Sequence, residues 1–458
     1  MKQLLAYCLS IILCVSFTGC MENYLDLYPE DKITSASFPE NESDIKLLLN
    51  GVYAQLREKE VYNQGLFGFG ITDGATPNAF NWGTDEVFNK LGAGRLSSSD
   101  GGVVTYRWKR CYEIISRANY LLACMDLVDL SEEAKAKYSG ETHFLRGLAY
   151  SVLAETYGGV PIILTDISTE EARSLKRASL EETWQQALDD YEVAITNLGV
   201  DAPEPGRATK GAALGMKMRA YLYQGKYKEV LACVEQIDAL KKYGLFHSYE
   251  GLFDPANENN KEVLFDIQYI EGENSQGSYI DQYCGTGTGS WTRGSRYVPT
   301  DDLVAAYETI DGSPVDPENP YENRDPRLGF TAVLPGSYFL GYRFPNYLYP
   351  GGAFNHAGNR LKHLSTRKYR IQDESKLPPS GQSYINDIIL RYADVLLSKA
   401  EAIIETNGSV ADAIAILNRI RTERDDVKIS LLPTSMSREE AREKVRHERR
   451  IELALEGR

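Results

Sequence analysis

Histidine is scarce in this chain, and so is cysteine outside the first residues. The five histidines (143, 247, 356, 363 and 447) are scattered, and His447-Glu448 lacks the second histidine of a zinc-protease helix, so the sequence offers no support for metal catalysis. Of seven cysteines, Cys8 and Cys14 fall in the leader and Cys20 closes it. Cys111 and Cys124 read as sharing one helix, about 20 Å apart, and cannot be bridged. Cys233 lies in an apolar helical pattern and Cys284 in a glycine-rich loop, so no disulfide framework and no paired C-x-x-C zinc spacing is implied. A Gly-x-Ser-x-Gly elbow is also missing. The alternating glycines of "GTGTGSWTRG" have neither a strand-then-helix setting nor a following Lys-Ser/Thr pair, which makes a poor phosphate cradle and implies no cofactor. Positive charge is in deficit, with 50 Lys and Arg against 65 Asp and Glu and a net charge of −15. An acidic surface repels phosphate backbones and anionic lipid, which argues against nucleic-acid binding and against electrostatic adhesion to membranes. After residue 19 no stretch is apolar enough to span a bilayer.

The first twenty residues are different. Lys2 gives a short positive start, and Leu4 to Phe17 is an uncharged apolar run, too short for a spanning helix but suited to a secretory signal. The small residues before Cys20 are what a bacterial lipoprotein signal peptidase reads. Residues 1–19 are therefore expected to be a lipoprotein signal, and Cys20 a lipidated cysteine whose acyl chains anchor the protein. Several chains are needed for durable attachment at about 0.8 kcal/mol per buried methylene. An ordinary cleaved signal with a chance cysteine is the alternative.

Residues 20–40 read as a polar tether. A helical region follows over 41–265. Its first helix is expected to be capped by Ser43 or Asp44 and to carry Ile45, Leu48, Leu49, Val52 and Leu56 on its apolar face. Residues 62–102 lose periodicity among many glycines, the mark of a long functional or disordered loop. Helices are expected at about 104–127, after the cap Ser131, at 180–198 and at 209–223, with a short extended piece at Ile162–Leu164. "RAYLYQGKYKEVLACVEQIDAL" has the turn chemistry of a tetratricopeptide hairpin, and 387–406 with 410–424 repeats it. On the first of these later helices Ile389, Tyr392, Leu396, Ala400 and Ile403 follow the apolar spacing. Arg391, Asp394, Ser398 and Glu401 form a polar line that is read as inter-helix ion pairing. The fold class expected is mainly α: a tetratricopeptide-like hairpin scaffold carrying a large irregular, loop-rich lobe over 266–385, with helices again over 386–458. Within 266–385 only Asp301 to Glu308 looks plainly helical, and Asp301-Asp302 reads as capping.

A carbohydrate site needs flat apolar rings and a few planar hydrogen-bonding groups at a wet edge. Trp108 and Trp184 sit at core spacing. Trp82 and Trp291 lie in glycine-rich loops, where stacking on a ligand competes evenly with packing under the loop. Phe80, Tyr283, Tyr297, Tyr342 and Tyr347 are weaker candidates of the same kind, because tyrosines suit loop surfaces generally. Asn78, Asn81, Arg293 and Arg296 are candidate partners for hydroxyls, although solvated polar loop residues are commoner. Carboxylates are too plentiful for counting to settle a glycosidase pair, which would need two acids about 5–10 Å apart. The basic run "EKVRHERR" reads as solvated or inter-helix charge.

Spaced blocks in a fixed order add a resemblance that covers nearly all of the chain after the leader. They are "NYLDLYPEDKIT", "NGVYAQL", "WKRCYEIISRANYLL", "GETHFLRGLAYSVLAETYGGVPI" and "GRATKGAALGMKMRAYLYQGKY", then "NRDPRL", "IILRYADVLLSKAEA", "LNRIRTER" and "RHERRIELALEGR". In these the chain resembles the SusD/RagB family of surface lipoproteins from Bacteroidota nutrient uptake. The resemblance implies a helical-hairpin fold with a loop-rich binding half, no enzymatic activity, and an outer-membrane location. It implies a SusC-like TonB-dependent transporter as partner and a glycan as ligand, with a peptide-binding minority in the family. The family pattern runs on past Gly457-Arg458, so part of the last helix and a C-terminal segment are expected beyond them. The expected function is capture of an oligosaccharide for the transporter. The rivals are a peptide-binding or docking member and, behind them, a surface glycoside hydrolase.

Overall fold

The computed structural model describes residues 38–57, 73–81, 90–97, 99–271, 277–278, 280, 297–339, 342–343, 364–371, 373–378 and 382–458. The expected leader and Cys20 lie outside them. Helix α1 (Glu42–Ala54) is capped by Asn41, two residues before the expected Ser43. Asn41, in extended backbone, accepts from the Ser43 and Asp44 amides while Asp44 reaches back to the Asn41 amide. Asn41 and Asp44 thus form a reciprocal box that satisfies orphan donors at both positions.

A 3-10 turn at Asp73–Ala75 leads into strand β1 (Ala79–Asn81). Helix α2 (Val103–Cys124) carries Cys111 and Cys124, both free and buried. Ser131 caps α3 (Glu132–Tyr157), and Gly158 stops it at φ +76°, a conformation costly for any residue with a Cβ. The stretch Ile162–Leu164 forms no strand; Tyr150 and Asn119 donate to the Ile163 carbonyl instead. Next come α4 (Thr169–Ser174), α5 (Leu180–Asn197) and the hairpin of α6 (Lys210–Tyr223) and α7 (Tyr227–Ala239). Gly225 turns that hairpin at φ +67°. Trp184 is buried, and Trp108 packs on the same core between Tyr112 and Tyr157.

Strand β2 (Val263–Ile267) opens the second half. It is followed by β3 (Tyr297–Pro299), α8 (Asp301–Ala306) and α9 (Pro326–Thr331), the last a helix its irregular sequence had hidden. Thr300, not the acidic pair after it, caps α8. Short strands β4 (Ala332–Val333), β5 (Tyr338–Phe339), β6 (Tyr342–Arg343) and β7 (Ser365–Thr366) lead to β8 (Asp387–Arg391). Helices α10 (Tyr392–Glu405), α11 (Val410–Thr422) and α12 (Arg438–Glu452) close the chain. The helix expected from 387 therefore begins as a strand. All five residues of β8 are buried, and the strand pairs antiparallel with β2, so a run that fits either periodicity is decided by a ladder partner.

Two hydrophobic cores adjoin. The larger joins the helical hairpins with β2, α10 and α11, and the smaller gathers Tyr249, Phe253, Leu303, Tyr307, Leu328 and Tyr369 under the loops. Strand β8 and helix α12 feed both cores. Between them lies a buried ionic cluster. Arg391 donates to Glu262, Glu452 and Glu456; Arg424 donates to Glu262 and pairs with Glu452; Arg327 donates to Asp325, Glu448 and Glu452. Lys368 and Arg421 extend it to Glu456, Glu448 and Glu308. Burial alone would raise the Glu452 carboxyl, but the Arg424, Arg391 and Arg327 guanidiniums outweigh it and hold the group well below the carboxylate range. The polar line on α10 is structural as expected, with Asp394 accepting from Arg219 and Arg449 at 2.8 Å each.

Candidate ligand-binding site

The loop that follows α1 and the loop-rich second half meet at β1 and β3, which pair antiparallel. Phe80 lies opposite Val298 and Asn81 opposite Tyr297. Three of the candidates read from sequence (Phe80, Asn81 and Tyr297) thus share one two-stranded ladder. Ala79 is buried and Phe80 is left 37% exposed, the alternation of a strand with one face on the core. Thr300 fixes the approach: its amide donates to the Asn78 carbonyl at 3.0 Å and its hydroxyl to Pro77. Tyr342 lies elsewhere in the lobe, in the β5·β6 hairpin opposite Phe339. Trp82, Tyr283, Trp291, Arg293 and Tyr347 lie outside the described residues.

The ladder is tied down from beneath. Arg450 of α12 donates from Nε to Asn78 Oδ1 at 2.7 Å and from a terminal nitrogen to Asp302 Oδ2 at 2.6 Å. Asn78 and Asp302 therefore have partners within the chain, and Asp302 carries an ion pair in addition to its place in the first turn of α8. Asp73, buried before β1, accepts from the Gly457 amide at 2.5 Å. Burial pushes the Asp73 carboxyl up to about 7, against the pull of that bond and of Lys368.

A cavity of about 350 Å³ opens nearby, with Phe330 and Tyr369 beside Arg367, Arg370, Glu250 and Asp254. Strand β7, which leads into it, packs next to β3 and pairs with β4. Arg367 and Arg370 both lie over the Phe339 ring, at 5.6 and 5.8 Å. Sequence reasoning missed this cavity because its walls come from three separate segments, around residues 248–254, Phe330 and residues 367–370, none with a distinctive pattern. Rings, guanidiniums and carboxylates around a concave space can orient a polar ligand through hydrogen bonds while covering its apolar faces. Among the described residues no three His, Cys, Asp or Glu side chains converge to hold a metal.

A frame of packed helical hairpins joined to a second half of short strands and irregular segments suits a binding protein, with recognition carried by loops and support by the helices. Comparison with known proteins gives the same class and narrows it. Residues 261–458 match the family model described as "SusD family", and residues 23–222 match "Starch-binding associating with outer membrane". The chain belongs to the SusD/RagB family, a family of non-catalytic binding proteins. It is 25% identical to SusD-like protein P25 of Formosa agariphila, over 99% of this chain and 88% of that one. A SusD-like carbohydrate binding protein from Bacteroides fragilis superposes with a TM-score of 0.80 at 28% identity, covering 91% of this chain and 84% of its own. A second SusD-like protein from the same species gives 0.79 at 27%, covering 94% and 87%.

Proposed function

We propose that this protein is an outer-membrane lipoprotein that binds a glycan at the β1·β3 edge and delivers it to a SusC-like TonB-dependent transporter. The observation that carries the binding reading is the pairing of β1 with β3, which gathers Phe80, Asn81 and Tyr297 from two distant loops. The carbohydrate-binding relative of the same fold supports the ligand class. Trp82 follows Asn81 directly in the chain, and with Trp291 it supplies the stacking platforms; Tyr283, Arg293, Tyr342 and Tyr347 complete the contacts. Cys20 carries the acyl anchor after removal of residues 1–19, residues 20–40 serve as tether, and the helical half faces the transporter. Binding is an equilibrium capture, with ring stacking for affinity and polar loop groups for hydroxyl geometry.

Calorimetric titration of the chain from Met21 onward against plant, host and microbial glycans tests this. One glycan class should bind, and Trp82→Ala or Trp291→Ala should weaken it more than about tenfold, or ~1.4 kcal/mol. Silence across the panel from folded protein overturns the glycan reading. Retention of full affinity by both variants overturns the site.

A further inference from the structure

Helix α12 spends most of its basic residues on the frame. Arg442 pairs with Glu405, Lys444 with Glu308 and Arg449 with Asp394. Arg450 turns the other way, to the two loop segments that form the ladder. Its bond to Asn78 spans 372 residues and its bond to Asp302 spans 148. Asn78 enters β1 and Asp302 leaves β3, so one planar guanidinium grips both sides of the ladder at the same end. The geometry suits arginine alone among the basic side chains, because its fork presents Nε and a terminal nitrogen in fixed directions while lysine presents a single point charge.

We propose that Arg450 is a positioning residue for ligand capture: it fixes β1 relative to β3, and with them Phe80, Asn81 and Tyr297, through Asn78 and Asp302. This rests on the β1·β3 edge being the binding site. The Arg450 and Asp302 side chains are 29% and 67% exposed, so the pair is solvent-screened and contributes little to global stability. Its effect is local. The three-residue strands have few ladder bonds of their own, and so short a pair opens readily unless held from outside. The ties from Thr300 to Pro77 and Asn78 join the loops to each other, while Gly457 reaches only the approach to β1 at Asp73, and His447 and Lys444 reach only the far end of the β3–α8 segment, at Ala306 and Glu308. Arg450 bonds both segments from one side chain of a packed helix.

Hydrogen exchange and calorimetry on Arg450→Gln, Arg450→Lys and Asp302→Asn, in the otherwise complete chain, test this. In Arg450→Gln, amides of 78–81 and 297–303 should exchange at least about tenfold faster while those of α6 and α7 keep the wild-type rate. Lysine restores one of the two bonds, so Arg450→Lys should fall between, and Asp302→Asn should release 297–303 more than 78–81. Affinity for the glycan that wild type binds should drop about three- to tenfold in Arg450→Gln, with Tm nearly unchanged. Unchanged exchange in the ladder overturns the proposal, as does faster exchange with undiminished affinity. Should wild type bind no glycan, the ligand reading fails on that result, and the exchange rates still decide whether Arg450 holds the ladder.

Discussion

Replacing Arg391 with alanine tests the buried ionic cluster that joins the two cores. The guanidinium is 1% exposed and fully used: Nε donates to Glu456 at 2.7 Å, one terminal nitrogen to Glu262 and Glu452 at 2.8 and 2.7 Å, and the other to the Glu452 carbonyl and Glu456 at 2.6 and 2.7 Å. Breaking a buried pair by removing one partner costs roughly 3–5 kcal/mol, because a charge is left behind without compensation. Here the loss is shared unevenly. Glu262 and Glu452 keep Arg424, and Glu452 also keeps Arg327, whereas Glu456 is left with Lys368 alone. Unfolding entropy of about 2.1 cal/mol/K per residue amounts to about 1 kcal/mol/K for a chain of this length, so Tm should fall by about 3–5 °C. The pH dependence has a definite sign. Burial pushes the Glu456 carboxyl up while Arg391 and Lys368 hold it below its usual range, so removing Arg391 is expected to lift it above the unfolded value and the variant should lose further stability as pH rises. Thermal unfolding followed by circular dichroism at pH 5.5 and pH 8 should show the larger deficit at pH 8. A drop below about 1 °C, or a larger deficit at pH 5.5, would refute the reasoning.

Two further outcomes follow from burial and close packing. Burial pushes the Asp387 carboxyl up to about 7, and its Oδ2 has no hydrogen-bond partner among the described residues. A raised carboxyl stabilises below its unfolded value, near 3.8, and that contribution is lost as pH climbs to the folded value. Asp387→Asn should therefore gain on wild type steadily from pH 4 to pH 7, by about 2–4 °C in Tm, and hold a constant lead above; a gap independent of pH would contradict this. At Gly159 a Cβ would sit 2.1 Å from the Ala178 carbonyl oxygen and 2.8 Å from the Ser179 carbonyl carbon, both backbone atoms that cannot swing aside. Gly159→Ala should lower stability by about 1–3 kcal/mol in urea titration, and wild-type behaviour would show that the 158–161 turn yields more easily than its packing implies.

The helical hairpins were legible in the sequence because each carries its own signals: apolar spacing, a capping residue and a turn glycine such as Gly225. Where a partner decides the outcome, the sequence is mute. Ile388, Ile389 and Leu390 fit a helix or a strand equally well, and only pairing with β2 makes them a strand. Two of the blocks that carry the family resemblance belong to the frame. Asp325 and Arg327 of "NRDPRL", with Glu448, Glu452 and Glu456 of "RHERRIELALEGR", meet in the buried ionic cluster. The proposed site was legible in part. Phe80, Asn81 and Tyr297 stood out as ring and amide groups in loops, but strands of three residues have no readable period. Arg450 was hidden in a basic run whose members look alike until their partners are known.

The separation along the chain of the contacts at the β1·β3 edge has a kinetic consequence. Thr300 reaches back 223 residues to Pro77, Arg450 reaches 372 to Asn78, and Gly457 reaches 384 to Asp73. Hairpins such as α6–α7 close over a few residues and can form as soon as their segments emerge. Contacts of such long range must wait until the intervening frame has brought the ends together, since the entropy of closing so large a loop is repaid only then. The edge is thus assembled last and is among the first parts to open. Sequence change in its loops then falls largely after the rate-limiting steps of folding, which leaves those loops free to diverge in what they bind while the frame folds as before.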